Sequence, residues 1–328
     1  MSSKIRPLSY SLAINEALHQ SMAADPAVCL LGQGVKSPWY VGNTCQDLIE
    51  RFGGARVIDT PVSENAITGC AVGAALAGMR PIVVHPRVDF LVYALDPIIN
   101  EAANWRYMCG GAASVPVVIW AVVNRGGEQG AQHSQALHAL FAHIPGLKVV
   151  MPATPYDAKG LMMAAIRDDN PVIFMDDRWL YTLTDAVPEE PYEVPIGKGI
   201  LRRSGPDLTI AALSYIAYEA GRAAEDLAGE GIEADVIDFR TAKPLDREIL
   251  LESVRKTGRL VVADGGWRTG GFAAEVLATA AESCYRDFKS APLRVTLPDT
   301  PAPASISLEK AYYPAAADIV RAAKAALA

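Results

Sequence analysis

The chain alternates short apolar runs with segments of helical periodicity from one end to the other, and this pattern constrains its fold more than any other feature. Residues 28–31 and 172–175 have the length and apolar composition of buried strands, whereas residues 9–24 and 156–167 repeat apolar side chains at helical spacing. Strands that alternate with helices in this way form a mostly parallel sheet covered by helices. The sequence therefore predicts an α/β fold.

A proline-rich, acidic segment interrupts this alternation in the second half of the chain. Residues 185–199 read DAVPEEPYEVPIGKG, show little periodicity and predict a linker. We therefore predict a first domain over residues 1–185, a linker over 186–199 and a second domain over 200–328. Strands alternate with helices on both sides of the linker, so each domain should contain a mostly parallel sheet flanked by helices.

Charge, cysteine content and hydropathy exclude several kinds of partner. The chain has 30 Lys and Arg against 37 Asp and Glu, a net charge of −7, so it lacks the basic field needed to bind nucleic acid. Its five cysteines are scattered without a CxxC pair, and we expect reduced, mostly buried thiols. No stretch reaches the roughly 18 apolar residues of a membrane span, and the N-terminus lacks the apolar core of a signal peptide. We expect a cytoplasmic protein without a membrane partner.

Common short motifs for metal and nucleotide sites are weak or missing. His133, His138 and His143 fall at intervals of five, but a helix advances about 100° per residue, so this spacing turns successive imidazoles off a shared ligand face. The run GQGV after the first apolar strand begins a dinucleotide-type pattern but lacks its third glycine. The sequence also lacks HExxH, the P-loop pattern and GxSxG. Zinc and nucleotide chemistry are therefore not favoured.

A glycine-rich helix is predicted directly after the run DTPVSE. Gly69, Gly73 and Gly78 each cost a helix about 1 kcal/mol relative to alanine, so a partner helix or a flat ligand should approach closely enough to offset them. Alternatively, the glycines only permit tight packing, and Glu64 only complements the helix dipole. The residues alone leave both interpretations open.

Longer runs in both domains carry a more specific signal. The first domain contains TPVSENAITGCAVGAALAGMRP, DFLVYALDPIINEAANWRYMCGG and GAQHSQALHALFAHIPGLKVVMPATPYDAKGLMMAAIRDDNPVIF, and the second contains DFRTAKPLDREILLESVRKTGRLVV, TGGFAAEV and RVTLPDTPAPAS. In order and spacing they resemble the beta subunit of thiamine-diphosphate-dependent 2-oxo-acid dehydrogenases, the pyruvate, branched-chain and acetoin dehydrogenases of the transketolase-like superfamily. The resemblance covers nearly the whole chain. It implies a pyrimidine-binding domain followed by a transketolase C-terminal-type domain.

The resemblance also implies roles for individual residues around thiamine diphosphate. Glu64 matches the glutamate that bonds a ring nitrogen of the aminopyrimidine and promotes loss of the thiazolium proton. Val62 and Phe90 match cofactor-binding positions, and Phe90 corresponds to the aromatic residue that packs on the pyrimidine. His133 matches the active-site histidine that orients substrate and shuttles protons. Ordinary structural roles for Phe90 and His133 are the alternatives.

A structural potassium ion is a further expectation from the resemblance. Main-chain and side-chain oxygens hold this ion in family members, and hard oxygen ligands suit such a cation. The matching positions in this chain are Val117, Ala165, Ile166, Asp168 and Asn170.

One family motif is missing. Related enzymes hold magnesium and the diphosphate through a GDG motif, which this chain lacks, and its Asp-Gly-Gly run at residues 264–266 lies in the predicted C-terminal domain. The resemblance therefore implies a shared active site, in which an alpha subunit carrying GDG supplies magnesium and diphosphate ligands within an α2β2 assembly. A lipoyl acyltransferase is a further expected partner.

The chain departs from the family just before Phe90. Relatives commonly have a glutamate followed shortly by Gln or Met, whereas this chain reads VHPR. Either this strand end has drifted, or His85 and Arg87 bind a polar or anionic substrate or acceptor.

The resemblance predicts the beta subunit of an enzyme that decarboxylates a 2-oxo acid and transfers the acyl or aldehyde unit, to lipoamide in the family. The alternatives are a two-subunit transketolase-like carboligase, which would transfer a two-carbon unit to a carbonyl acceptor, and a noncatalytic scaffold subunit. Glu64, Phe90 and His133 favour an enzyme over the scaffold.

Overall fold

The computed structural model describes residues 5–37 and 41–328, which divide into two compact units. The first unit runs to Asn124 and continues over Leu140–Ile196, and the second comprises Arg125–Ala139 and Gly197–Ala328. Residues 125–139, which the sequence predicts in the first domain, therefore cluster with the second unit. The domain limits drawn from the sequence stay a prediction.

The first unit contains a parallel sheet and a two-stranded antiparallel ribbon. Its described strands are β1 (Ile5–Ser9), β2 (Val28–Gly32), β3 (Val57–Asp59), β4 (Arg80–His85), β5 (Val118–Val123), β6 (Lys148–Val150), β7 (Val172–Asp177) and β8 (Thr184–Pro188). Six of them pair in the order β6-β7-β5-β4-β2-β3, all parallel, whereas β1 pairs antiparallel with β8. Strands β2, β5 and β7 are buried along their whole length, which explains the continuous apolar runs of β2, of β5 and of residues 172–175 in β7.

Helices connect these strands. They are α1 (Tyr10–Ala24), α2 (Leu48–Phe52), α3 (Glu64–Leu76), α4 (Val88–Leu91), α5 (Ala103–Met108), α6 (His138–His143) and α7 (Pro155–Arg167). Two of them have clear start signals: the Ser9 side chain accepts from the Leu12 amide at the start of α1, and Thr154 accepts from the Asp157 amide at the start of α7. A π-helical turn, Pro97–Ala102, precedes α5.

The close approach of β2 and β4 requires a glycine at position 32. A Cβ atom on Gly32 would lie 2.6 Å from the carbonyl oxygen of Val84, closer than real Cβ atoms come to a backbone oxygen. The glycine of the GQGV run therefore serves strand packing within this sheet.

Lys159 anchors the start of the predicted linker to the first unit. Its ammonium group is completely buried, forms an ion pair with Glu16 of α1, and donates to the carbonyl oxygens of Pro188, Glu189 and Glu190 at 2.7, 3.1 and 3.0 Å. A buried ammonium group needs such partners because its desolvation is costly. Residues up to 190 are thus held by strand pairing and by Lys159.

The second unit has its own sheet. Its strands are β9 (Ile200–Arg203), β10 (Leu208–Ala212), β11 (Ala234–Asp238), β12 (Thr241–Lys243), β13 (Leu260–Trp267) and β14 (Leu293–Leu297), and its helices are α8 (Tyr215–Ala228), α9 (Arg247–Thr257), α10 (Phe272–Cys284), α11 (Ile306–Tyr312) and α12 (Ala316–Leu327). The five-stranded sheet has the order β14-β13-β10-β11-β9, with only β9 antiparallel to its neighbour. The predicted two-part α/β fold with mostly parallel sheets is confirmed. Across the described residues, no helix is long and apolar enough to cross a membrane.

Candidate functional site

Glu64 begins helix α3, immediately after the loop that leaves β3. The loop exposes Val62, 72% of whose surface is accessible, while Glu64 itself is half-buried. A carboxylate in the first turn of a helix is favoured by the helix dipole. The geometry therefore presents a carboxylate beside an exposed apolar side chain at the carboxyl edge of the parallel sheet.

The outward face of α3 carries small residues and is exposed. Cβ atoms added to Gly69 or Gly73 would meet nothing within 4 Å, and the neighbouring Cys70 is also exposed. Within residues 5–37 and 41–328, no side chain or neighbouring backbone reaches these two positions. The glycines therefore do not serve packing within the chain, and the face is accessible to another molecule.

Phe90 lies in the short helix α4, which follows β4 after two residues. Its side chain is half-buried. The chain then forms a 3₁₀ turn, Val92–Ala94, which packs against α3. The first unit thus supplies Val62, Glu64 and Phe90 from segments that follow β3 and β4 at one edge of the sheet.

His85 points into the first unit. It is completely buried at the end of β4, and its Nε2 lies 3.1 Å from Oγ1 of Thr68 on α3. Its Nδ1 is buried without a hydrogen-bond partner in the described part of the chain. Burial lowers the pKa of His85 to about 4, so the ring is neutral at pH 7. The sequence paired His85 with Arg87 as substrate-binding residues, but the structure places His85 against Thr68 and not with Arg87.

Arg87 lines a cavity of about 410 Å³ together with Asn124 and Arg178. We call this cavity the arginine pocket. Pro86, Tyr181 and Gly42 also line it. The guanidinium Nη1 of Arg178 donates to Oδ1 of Asn124 at 2.9 Å.

Sequence reasoning missed Arg178 and Asn124. Asn124 directly follows β5 and Arg178 directly follows β7, and ligands of open α/β sheets bind beyond the carboxyl ends of their strands. This rule could have identified both residues as candidate site residues from the sequence.

His133 belongs to the second unit, whereas Glu64, Val62 and Phe90 belong to the first. It is half-buried in a loop, and its backbone amide donates to the carbonyl of Gly130 at 3.4 Å.

A second histidine of the evenly spaced series, His138, pairs with Asp264. Both are buried, and Nε2 of His138 lies 2.9 Å from Oδ1 of Asp264. The backbone amides of Gly266 and Ala273 donate to the two carboxylate oxygens at 3.0 and 3.2 Å. Burial alone would raise the pKa of Asp264, but the charge of His138 and these hydrogen bonds lower it overall. The Asp-Gly-Gly run therefore contains a buried carboxylate that fixes surrounding backbone, a role that its sequence did not indicate.

Two basic side chains, Arg80 and Lys148, contact the residues predicted to hold potassium. The carbonyl oxygens of Ile166 and Asp168 accept from Nη1 of Arg80 at 3.1 and 3.2 Å. The Asp168 carboxylate pairs with Lys148 and accepts from the amide and side chain of Asn170 at 2.9 and 3.0 Å. Burial would raise the pKa of Asp168, yet these contacts hold it below its usual value. The oxygens suit a hard cation, but Arg80 and Lys148 already interact with several of them.

Comparisons with known proteins agree across both halves of the chain. The family model "Transketolase, pyrimidine binding domain" matches residues 6–184, and "Transketolase, C-terminal domain" matches residues 197–319. The beta subunit of acetoin:2,6-dichlorophenolindophenol oxidoreductase from Cupriavidus necator is 46% identical over 97% of both chains. The beta subunit of 2-oxoisovalerate dehydrogenase from Bacillus subtilis is 41% identical over 98% of both chains. The chain belongs to the 2-oxo-acid dehydrogenase beta-subunit family.

Membership of this family confirms the resemblance read from the sequence, and the family depends on thiamine diphosphate. The pyruvate dehydrogenase E1 beta subunit of Rickettsia felis, 40% identical over 95% of this chain and 96% of its own, is another relative. A solved structure described as a split-gene transketolase, inactive beta4 tetramer, superposes with a TM-score of 0.80 at 25% identity and covers 98% of both chains. Family members with different substrates thus share nearly the whole length of this chain.

Proposed function

We propose that this chain is the beta subunit of a thiamine-diphosphate-dependent 2-oxo-acid dehydrogenase. With an alpha subunit, it decarboxylates a 2-oxo acid and transfers the acyl or aldehyde unit, with lipoamide as the acceptor. The observation that carries this proposal is Glu64 at the start of α3, at the carboxyl edge of the sheet, in a chain whose relatives match it over nearly its whole length.

The chemistry of the side chains near Glu64 fits the aminopyrimidine of thiamine diphosphate. A carboxyl group can bond a ring nitrogen, and Val62 and Phe90 provide an apolar and an aromatic surface at the same edge of the sheet. When bound, thiamine diphosphate supplies a carbon nucleophile for the 2-oxo group and an electron sink for the loss of carbon dioxide.

The residues of this chain bind the cofactor and move protons. Glu64 shares a proton with the pyrimidine nitrogen through a carboxylate oxygen, and Phe90 and Val62 fix the ring. His133 orients the substrate and holds or releases a proton at an imidazole nitrogen.

The alpha subunit completes the site in this proposal. Because the chain has no GDG motif, the alpha subunit supplies the ligands for magnesium and the diphosphate. The exposed glycine face of α3 supports an α2β2 assembly, since Gly69 and Gly73 let another backbone approach closely. A lipoyl acyltransferase accepts the product of the assembled enzyme.

We also propose a structural potassium ion at the main-chain and side-chain oxygens of Val117, Ala165, Ile166, Asp168 and Asn170. Its support is the convergence of carbonyl oxygens on Arg80 and the carboxylate of Asp168. Exchanging potassium for tetramethylammonium in the buffer should lower the melting temperature of the full chain. An unchanged melting temperature would mean that Arg80 and Lys148 alone neutralise these oxygens.

A test of the proposed function compares the isolated chain with the enzyme assembled from both subunits. Calorimetry should show little binding of magnesium and thiamine diphosphate to this chain alone and tight binding to the assembled enzyme. In the assembled enzyme, E64Q should slow exchange of the thiazolium proton, followed by NMR, by about 10²–10⁴-fold. The exposed Glu50 of α2 provides a matched control, E50Q, which should leave the exchange unchanged. Normal exchange in E64Q would remove Glu64 from this role.

The carboligase is a second candidate because the arginine pocket suits a polar or phosphorylated acceptor. Three assays of the assembled enzyme distinguish the candidate functions. One contains lipoamide as the acceptor, one contains an aldose, and one contains neither. Activity with lipoamide identifies the dehydrogenase, activity only with an aldose identifies the carboligase, and inactivity with both identifies a scaffold subunit.

A further inference from the structure

The arginine pocket lies where three neighbouring parallel strands end. Strands β4, β5 and β7 are adjacent in the sheet, and Arg87, Asn124 and Arg178 follow them within one or two residues. The carboxyl ends of adjacent parallel strands meet at one edge, which is where open α/β sheets bind ligands. Its volume of about 410 Å³ is that of a small-molecule site.

The lining of this pocket is positively charged. Among the described residues that line it are two arginines and no carboxylate, although the whole chain has a net charge of −7. Arg178 is held by the neutral amide of Asn124, and within the described residues no carboxylate forms an ion pair with it. A guanidinium group positioned in this way retains its charge and donors for an oxyanion.

Three carboxyl groups lie close by in sequence, and all are buried and none lines the pocket: Asp89, Asp176 and Asp177. Oδ1 of Asp176 accepts from the indole of Trp120 at 2.8 Å, and Oδ1 of Asp177 accepts from the amide of Trp179 at 3.0 Å. Burial raises the pKa of Asp176 to about 7, so much of this group is uncharged at neutral pH. These groups therefore reduce the positive character of the pocket only in part.

We propose that the arginine pocket binds an oxyanion group of the substrate or of the acceptor, a carboxylate or phosphate that the reaction does not remove, through Arg87 and Arg178. This inference rests on the proposed function and names its substrate class: molecules with a second anionic group. Arg87 lies three residues before Phe90, which connects the pocket in sequence to the proposed cofactor contact.

Binding by the full chain tests the pocket without any cofactor chemistry. Ligand-observed NMR at constant ionic strength uses two probes, glutarate and inorganic phosphate, and compares the wild type with R87Q, R178Q and R178K. At least one probe should bind, and R87Q and R178Q should each weaken that binding about ten- to a hundredfold, the effect of losing a charge-assisted hydrogen bond. R178K keeps the charge but loses the planar donor fork, so it should bind between wild type and R178Q.

The exposed Arg51 of α2 provides a matched control, R51Q, which should bind like the wild type. Binding of glutarate alone assigns a carboxylate, and binding of phosphate alone assigns a phosphate. Failure of both probes to bind, or equal binding by the wild type and the double variant R87Q/R178Q, would overturn the inference.

Kinetics of the assembled enzyme separate this inference from the proposed function. In one arm, 2-oxoglutarate is compared by its kcat/KM value with 2-oxopentanoate, which has a methyl group in place of the second carboxylate. The other arm compares glyceraldehyde 3-phosphate with glyceraldehyde as acceptors. Each arm gives a ratio: kcat/KM for the molecule with the extra anionic group divided by kcat/KM for its counterpart without that group. In one of the two arms this ratio should fall about ten- to a hundredfold in R87Q and R178Q and stay unchanged in R51Q.

Two outcomes distinguish a failure of the oxyanion site from a failure of the proposed function. Arginine-dependent probe binding without turnover of any 2-oxo acid contradicts the proposed function and supports the oxyanion site. Normal turnover with ratios that are the same in the wild type and in R87Q/R178Q contradicts the oxyanion site and leaves the proposed function intact.

Discussion

Lowering the pH from 7 to 5 should destabilise the wild-type chain more than an H85Q variant. His85 is completely buried, and burial lowers its pKa from 6.5 to about 4. Between these values the unfolded chain binds a proton at this histidine and the folded chain does not. The free energy of unfolding therefore falls as the pH drops from 6.5 towards 4, and it is unaffected by this group above that window.

The size of the effect follows from the shift in pKa. Each pH unit within the window costs about 1.4 kcal/mol, so the full shift corresponds to about 3 kcal/mol and the part above pH 5 to about 2 kcal/mol. H85Q removes the titrating group, while its amide can still bond Oγ1 of Thr68. The variant should lose about 2 kcal/mol less than the wild type between pH 7 and pH 5.

Urea unfolding of the full chain at pH 7.0, 6.0 and 5.0, followed by tryptophan fluorescence, measures this difference. Trp120 lies in β5, next to β4 in the sheet, so its emission reports on the unit that contains His85. H143Q removes an exposed imidazole and serves as the control. Equal loss of stability between pH 7 and pH 5 in the wild type and H85Q would refute the reasoning, because His85 would then bind a proton equally in the folded and unfolded chain.

Three further substitutions test other contacts. K159M should lower the free energy of unfolding by about 1–3 kcal/mol in urea titrations, because it leaves three carbonyl groups without their ammonium donor, while Glu16 keeps its ion pair with Arg6. G32A should lower the melting temperature by forcing a Cβ atom against the carbonyl oxygen of Val84, at a cost of about 1–3 kcal/mol, whereas G54A, where a Cβ meets nothing within 4 Å, should not show this strain. D264N should increase amide hydrogen exchange around residues 266–273, because the buried side-chain hydrogen bond with His138 and two backbone contacts to the carboxylate weaken; unchanged exchange there would contradict a fixing role for Asp264.

Periodic patterns in the sequence predicted the strands and helices that lie in the interior of the fold. The parallel strands β2 and β5 are apolar along their length, and β7 is apolar up to Met175. The long helices α1 and α7 repeat buried apolar side chains, so both kinds of element were predictable from local sequence. The two strands of the antiparallel ribbon, β1 and β8, were missed. The ribbon of β1 with β8 joins segments about 180 residues apart, and the face of β1 is only half-buried, so its residues lack the apolar run that marks an interior strand.

For the candidate site, the sequence determined the family and the residues that carry its motif. Glu64, Phe90 and His133 stand within long runs whose order is recognisable without coordinates, and comparison with relatives confirmed the family. Their roles stay proposals.

Tertiary structure alone decided where the unusual residues near Phe90 point. His85 and Arg87 are two residues apart, yet one is buried against Thr68 and the other lines a pocket with Asn124 and Arg178. A strand of a parallel sheet is covered on both faces, so the alternation of its side chains does not tell which end position is buried and which is open. The neighbours of each side chain come from α3, β5 and β7, and only the folded sheet brings these elements together.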